Sequence, residues 1–186
     1  DTPSFAFAIE GADLAVEDAV FQVKVSPFTL GCAACAPLVV VSTVAELEAA
    51  DIAGKIVLLR GEIAKGQLMP KNFPFYNPDE HKHIIHLLES RSPLAIVAAT
   101  ERDPDMVGSG VYPFPLIEDG DFAVPSVYMT DEEGERLAAY AGREATLTIR
   151  AQRISATGCN VVARKGGNGQ RRIVLFAHID ARLGTP

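Results

Sequence analysis

The segment Asp51-Ile-Ala-Gly-Lys-Ile-Val-Leu-Leu-Arg60 is the clearest fold signal in the chain. Its first four residues have the composition of a turn, and a short run of Ile, Val and Leu follows without polar alternation. Such a run predicts a strand that is buried on both faces, which is typical of parallel sheets covered by helices. We therefore expect an α/β fold around this strand.

The segments on either side alternate between strand and helix patterns. Apolar runs rich in β-branched residues predict strands, and runs with a polar cap and a helical apolar stripe predict helices. Thr130 and Glu133 have the spacing of a capping box at the start of one helix. The predicted strands are 36–42, 55–60, 94–98, 123–129 and 144–154, and the predicted helices are 77–90 and 130–140.

The first 35 residues are less regular. The runs 4–9 and 20–25 predict two strands, separated by a turn at 10–13, that complete the same sheet. Cys32 and Cys35 form a single CxxC, a spacing that can hold zinc or serve redox chemistry. Because no second pair follows, we favour two small buried or loop thiols, which could form a disulfide if the protein is exported.

Composition limits the class of protein. The 186 residues include 17 basic and 24 acidic side chains, for a net charge of -7, and 48% are hydrophobic. A negative net charge argues against nucleic acid as a partner. No apolar run approaches the roughly 20 residues that span a bilayer. We expect one substantial core, no nucleic-acid partner and no membrane span.

The end of the chain carries the residues that most suggest catalysis. Arg171-Arg-Ile-Val-Leu-Phe-Ala-His-Ile-Asp180 is an apolar run of strand length that ends in His-x-Asp. Since side chains alternate along a strand, His178 and Asp180 project to the same side. A neutral imidazole can bind a metal while a carboxylate orients its ring. A surface turn after a core strand would give the same pattern.

The residues before this strand complete a longer pattern. Thr157-Gly-Cys-Asn-Val-Val-Ala-Arg-Lys165 and a Gly-Gly-Asn-Gly turn predict a hairpin with the run 173–177. This tail resembles the start of the catalytic domain in zinc aminopeptidases and glutamate-carboxypeptidase-like metallopeptidases. The resemblance implies that His178 is a zinc ligand and that Asp180 is the catalytic carboxylate supporting it. It also implies two zinc ions in the complete protein, whose other ligands and general base cannot be assigned here.

The middle of the chain resembles the protease-associated domain, a noncatalytic module of several peptidase families and some sorting receptors. The resemblance rests on the order of the segments 51–60, 94–98 and 124–134, followed directly by the hairpin and His-Ile-Asp. It implies an α/β fold with a mixed sheet or open barrel, flanking helices and a C-terminal β-hairpin. The implied division is 1–35 for N-terminal strands, 36–155 for the protease-associated domain and 156–186 for the truncated start of the peptidase domain.

These resemblances imply that the parent protein is a zinc-dependent exopeptidase, an aminopeptidase or carboxypeptidase that cleaves peptides with a metal-activated water. The chain is expected to be an inactive fragment whose module shapes substrate access or makes homo-oligomer contacts, in an extracytoplasmic setting. The alternative is a free-standing interaction or sorting module in which His178 and Asp180 are incidental. An insert in a serine peptidase lacks support because no Gly-x-Ser-x-Gly motif is present.

Three further groups of residues have a structural and a functional interpretation. His83 and His86 lie one turn apart on the predicted helix and could share a metal, although His81 points away from them, and a solvated helix face is favoured. A turn is favoured over a metal site for the acidic residues between 118 and 121. The proline-stiffened aromatic loops 73–76 and 112–115 are expected to cover the core rather than rim a substrate cleft. The acidic residues are Glu118, Asp119 and Asp121.

Overall fold

One mixed β-sheet organises the part of the chain that a computed structural model describes, namely residues 2–66, 68–69, 71, 76–100 and 122–158. Its strands are β1 (Thr2–Val16), β2 (Ala19–Phe21), β3 (Lys24–Val25), β4 (Cys32–Val41), β5 (Ile56–Leu59), β6 (Ala95–Thr100), β7 (Ser126–Thr130) and β8 (Glu144–Gly158). The helices are α1 (Val44–Ala49), α2 (Asp79–Ser90) and α3 (Asp131–Ala138), with a 3-10 turn at Gly61–Ala64. The strand order is β2-β1-β8-β4-β5-β6-β7-β3. Strands β4 to β7 run parallel, and the other pairings are antiparallel.

The parallel strands have the buried character that their apolar runs predict. Every residue of β5 and β6 is buried. Helices α1 and α2 connect successive parallel strands, and their side chains Leu47, Ile84 and Leu88 pack in one core with outward-facing residues of the sheet. Branched and leucine side chains on both faces stabilise such a sheet through burial. The predicted α/β class, a mixed sheet with flanking helices, is confirmed.

The sheet curls so that its two edge strands come together. Strands β2 and β3 stand at opposite ends of the strand order, yet only Gln22 and Val23 separate them along the chain. The concave side therefore encloses a second core, which is the interior of the predicted open barrel. Its large members include Leu14, Val16, Phe21, Leu38, Leu58, Val97, Met129, Leu137 and Leu147.

Helix α3 begins as the sequence predicts and packs closely against the sheet. Thr130 caps it, because its hydroxyl accepts a hydrogen bond from the backbone N–H of Glu133 at 3.2 Å. The Glu133 carboxylate does not return to the cap. It accepts instead from the backbone N–H of Gln22 at 3.0 Å, so the predicted capping box is only half formed and α3 is tied to the β2–β3 link.

The predicted turn at 10–13 is wrong, although the run 4–9 lies in a strand and the run 20–25 overlaps two short strands of the same sheet. Strand β1 runs without a break from Thr2 to Val16 and pairs with β8 along that length. A register shift between Ile9 and Gly11 marks a β-bulge at the position of the predicted turn. Glu10 and Gly11 suit a bulge as well as a turn. At the bulge Gly11 adopts a φ of 147°, a backbone conformation that glycine accepts readily. The turn lies later, at Glu17 and Asp18.

The two CxxC cysteines were expected to be buried or loop thiols that could form a disulfide, and the structure places neither in a loop nor in a disulfide. Strand β4 begins at Cys32, so both cysteines lie within it, and both are free thiols. Residues three apart in a strand face opposite sides and have Cα atoms about 10 Å apart. A disulfide requires a Cα separation of about 4.4–6.8 Å. Strand pairing therefore keeps the two thiols apart.

Strands β1 and β8 extend beyond the rest of the sheet as a two-stranded ribbon. Strand β4 pairs with β8 only up to Ile149, and β2 pairs with β1 only from Leu14. Residues 2–11 and 150–158, here called the stem, pair with each other, and Thr2 lies opposite Gly158 at the tip. The two ends of this described unit are thus side by side. The remainder of the sheet with its helices is here called the body.

The predicted division at residues 35 and 155 stays a prediction. Strands from both sides of residue 35 share one sheet. The predicted C-terminal hairpin falls almost entirely on residues outside the described part. Among the helices that the structure describes, none combines the length and apolar character needed to cross a membrane.

Candidate functional site

The carboxyl ends of the parallel strands form the edge of the sheet where a ligand site is expected. In open α/β sheets, ligands bind beyond the carboxyl ends of the strands. A cleft of about 130 Å³ lies at this edge and is here called the carboxyl-edge cleft. Its lining comes from the segment just after β5, from β6 and from α3, and consists of Arg60, Gly61, Ala99, Asp131 and Glu135.

The polar lining of the cleft is organised by an ion pair. The guanidinium of Arg60 bonds to the carboxylate of Glu135, with 29% and 65% of their side chains exposed. Asp131 is the first residue of α3, where a carboxylate interacts favourably with the positive end of the helix dipole. The lining therefore carries two carboxylates and one guanidinium. This arrangement can hold a small polar or cationic group, but the lining includes no hydroxyl, thiol or imidazole.

Close packing behind the cleft fixes the position of α3. Gly134 lies directly over Ala99 of β6, and a Cβ atom added to Gly134 would overlap the Cβ of Ala99. Helix α3 can approach β6 this closely only because residue 134 has no side chain. The small residues Gly134 and Ala99 therefore set the distance between the acidic face of α3 and the end of β6.

The residues predicted to bind zinc do not enter the carboxyl-edge cleft. His178 and Asp180 lie outside the described residues, and their roles stay predictions. The acidic residues 118–121 and the aromatic loop 112–115 also lie outside the described part, as do 73–75 of the other loop. Tyr76 at the end of that loop is 64% exposed, so its ring does not cover the core as expected.

The three histidines of α2 have separate environments. The Nε2 atom of His83 lies 2.7 Å from Oε1 of Glu48 on α1, and the Nδ1 atom of His81 accepts a hydrogen bond from the backbone N–H of Met69 at 3.1 Å. His86 is exposed. Within the described ranges, no group of three His, Cys, Asp or Glu side chains could hold a metal ion. The favoured interpretation, a solvated helix face, is confirmed for His83 and His86.

The stem is joined to the body by a small set of specific contacts, here called the stem junction. Arg153 of β8 donates to the carbonyl of Phe28 at 2.9 Å and to the carbonyl of Phe122 at 2.7 Å. The rings of Phe7 and Phe28 meet edge to face, with centroids 4.6 Å apart. Gly31 passes so close to β8 that an added Cβ would lie 2.5 Å from the carbonyl oxygen of Ala151. These contacts define the orientation of the stem.

Sequence reasoning missed the residues of both sites. Arg60 lies far along the chain from Asp131 and Glu135, which share helix α3, and only the sheet order brings Arg60 to that helix. One signal was available, because Arg60 directly follows a buried strand and the carboxyl ends of parallel strands share an edge. Arg153 gave no signal, since its partners are backbone carbonyls, which no side-chain pattern reveals.

Solved structures with this fold include two aminopeptidases, one of them a zinc enzyme, and a further peptidase. An aminopeptidase from Aneurinibacillus sp. strain AM-1 matches with a TM-score of 0.52 and 20% identity, over 83% of this chain and 35% of its own. A Peptidase M28 precursor from Shewanella amazonensis SB2B matches with a TM-score of 0.54 and 11% identity, over 82% of this chain and 37% of its own. BSAP, a zinc aminopeptidase from Bacillus subtilis, matches with a TM-score of 0.51 and 17% identity, over 82% and 35%.

These similarities are structural. No protein-family model and no curated protein sequence matches this chain. The chain spans little more than a third of the length of the three peptidases. At these identities the shared feature is the fold: this chain folds like one part of three bacterial peptidases, one of which is a zinc aminopeptidase.

Proposed function

We propose that this chain contains the noncatalytic protease-associated domain of a zinc-dependent exopeptidase. The observation that carries the proposal is the unequal coverage of the structural similarity. More than four-fifths of this chain matches little more than a third of each peptidase, and two of the three are described as aminopeptidases, one of them a zinc enzyme. A unit that fits within a larger peptidase is expected to support catalysis performed elsewhere in that protein.

The architecture of the described unit suits an accessory domain. Its first and last described residues, Thr2 and Gly158, pair at the tip of the stem, so the chain enters and leaves at one point. The body is then presented on two strands rather than on one linker. Because the stem junction holds those strands by hydrogen bonds and ring contacts, the body is expected to act as a fixed wall beside a substrate path.

Catalysis in this proposal belongs to residues that follow the body. His178 would bind zinc, and Asp180 would orient its imidazole and fix its tautomer. Zinc, when bound, supplies Lewis acidity and an activated water for peptide hydrolysis. The region 156–186 would thus be the start of the catalytic domain, and the further ligands would come from other parts of the parent protein.

The substrate, assembly and location follow from the same proposal. The parent would act on peptides, outside the cytoplasm, and the exposed faces of the body could contribute homo-oligomer contacts. The carboxyl-edge cleft, with two carboxylates and one guanidinium, would contact a polar group of the peptide or of the neighbouring domain.

The proposal is tested by comparing this chain with its parent protein. Both are assayed for hydrolysis of aminoacyl p-nitroanilides, which report aminopeptidase activity, and of N-terminally blocked peptides, which report carboxypeptidase activity, and the zinc content of each is measured. We expect activity and bound zinc in the parent, no turnover by this chain, and loss of zinc and activity in a parent carrying His178→Ala. The matched control is His86→Ala on the solvated face of α2, which should leave activity unchanged.

Two results would contradict the proposal. Turnover by this chain alone would show that the unit is itself catalytic. A parent that neither binds zinc nor cleaves peptides would favour the free-standing interaction or sorting module instead.

A further inference from the structure

Among the described residues, two serine hydroxyls are buried without a hydrogen-bond partner at the pairing of the edge strand β3 with β7. Ser26 and Ser126 are both 0% exposed. Neither Oγ atom has a hydrogen-bond partner within the described residues. Buried polar side chains are almost always hydrogen-bonded, because an unpaired hydroxyl loses its interaction with water and gains nothing in return. The pair therefore indicates a ligand that the two hydroxyls share.

The register of the sheet places the two serines opposite each other. Strands β3 and β7 pair through Lys24 with Tyr128 and through Val25 with Val127. One step further, Ser26 faces Ser126, and its backbone N–H donates to the Ser126 carbonyl at 3.2 Å. Cross-strand neighbours project to the same face with Cβ atoms about 4.5–5.5 Å apart. Both hydroxyls thus occupy one small space.

The ladder between the strands is incomplete at this pair. In an antiparallel pair the return bond would run from the Ser126 N–H to the Ser26 carbonyl. The Ser126 N–H donates instead to the Thr29 hydroxyl at 2.7 Å, and the Ser26 carbonyl accepts from the Thr29 N–H at 3.3 Å. Thr29, which is 1% exposed, has therefore replaced one rung of the ladder.

We propose that a buried water molecule bridges the Oγ atoms of Ser26 and Ser126. Water fits the chemistry because it donates and accepts, and buried waters typically bond two to four otherwise unsatisfied polar groups. An apolar ligand would leave both hydroxyls unpaired. An ion would lose its hydration for two neutral hydroxyls, which is a poor exchange.

This water would serve the closure of the curled sheet. It lies where β3, the last strand in the order, pairs with β7. Thr29 closes the turn that contains Phe28 and leads to Gly31, both residues of the stem junction. The site would hold that turn in place from the body side, as Arg153 holds it from the stem side. The inference concerns the architecture of the unit and does not depend on its proposed function.

A crystal structure of this chain at a resolution that shows ordered water tests the inference directly. We expect one water within hydrogen-bond distance of both Oγ atoms, and nuclear Overhauser transfer from water to the amide protons of Ser26 and Ser126 in solution. A direct bond between the two hydroxyls would overturn the inference. So would a side chain from another part of the chain in that position, or an empty space.

Thermal unfolding of serine variants gives an independent test. If a water bridges the pair, Ser26→Ala and Ser126→Ala should each lower Tm by about 2–4 °C. The double variant should lie little below either single variant, since the second substitution removes a bridge already lost. Unchanged or raised Tm values would overturn the inference. Ser155→Ala, on an exposed position of the stem, is the control and should leave Tm unchanged.

Discussion

The two halves of strand β8 have nearly opposite environments. Residues 144–149 lie between β1 and β4, and their side chains Ala145, Leu147 and Ile149 are buried in the concave core. Residues 150–158 pair with β1 alone, and Ile154 is 45% exposed. The hydrogen-bond ladder to β1 continues across both halves. The hydrogen-bond ladder is thus enough to continue the strand, whereas the stability of each half depends on the side chains packed against it.

The stem needs contacts that the body does not need. Two-stranded ribbons are marginal in water, and three or more strands with a covered apolar face are required for independent stability. The body meets this condition with cores on both faces of its sheet. The stem relies on the junction contacts made by Arg153, Phe7 and Gly31. We therefore expect the body to resist local unfolding better than the stem.

The sharpest contrast is expected between matched truncations in the two regions. Leu58 of β5 is 0% exposed, so Leu58→Ala should lower the free energy of unfolding by about 2–5 kcal/mol through lost burial and a cavity. Ile154→Ala in the stem, which removes a side chain that is already half in water, should cost less than about 1 kcal/mol. Urea unfolding measures both. Equal costs would show that the stem is as well covered as the body.

A single added methyl group at Gly31 is expected to disrupt the stem junction. Gly31→Ala places a Cβ 2.5 Å from the Ala151 carbonyl, and backbone must move to relieve the contact. Overpacking of this kind typically costs about 1–3 kcal/mol. Amide hydrogen exchange should show the loss of protection concentrated in residues 150–158, with β5 and β6 little changed.

Gly66 provides the control for that variant. An added Cβ at Gly66 meets no atom within 4 Å, so Gly66→Ala should leave both stability and exchange unchanged. Faster exchange throughout the sheet of the Gly31 variant would contradict a local junction. It would indicate that stem and body unfold as one unit.

A smaller effect is expected where α3 joins β7. Thr130→Ala removes the hydroxyl that accepts from the Glu133 N–H, and loss of such a cap costs about 1 kcal/mol. Thr130→Ser keeps the hydroxyl and should retain most of the stability in the same urea experiment. A Thr130→Ala variant as stable as the unsubstituted chain would show that the contact of Gly134 with Ala99 positions α3 without the cap.

The sequence predicts the parallel strands of the body better than it predicts β1 and the start of β4. The parallel strands were predictable because burial on both faces leaves an uninterrupted apolar run, as in 55–60. Strand β1 was not, because Glu10 and Gly11 give the same signal for a bulge as for a turn. The start of β4 was hidden by Cys and Ala, which carry little strand propensity.

Whether a functional residue can be predicted depends on whether its partners lie in the same segment of the chain. A motif within one segment, such as His178 with Asp180, can be proposed from its spacing alone. The carboxyl-edge cleft cannot, because Arg60 meets Asp131 and Glu135 of α3 only through the order of the parallel strands. Sites assembled by topology therefore require the structure, even where each contributing element is predicted correctly.

The two cysteines of β4 report on the difference between the faces of one strand. Cys35 is exposed, whereas Cys32 is partly buried and burial raises the pKa of its thiol. Since the thiolate is the reacting form, iodoacetamide near pH 8 should modify Cys35 first and Cys32 much more slowly. A thiol whose pKa is higher in the folded than in the unfolded state favours folding below about pH 8.5, and that contribution is lost as the pH rises further. Mass spectrometry of partly labelled chain at pH 7, 8 and 9 should therefore show the ratio of Cys32 to Cys35 modification rising with pH. Equal labelling of the two thiols at pH 8 would contradict the burial of Cys32 within the curled sheet.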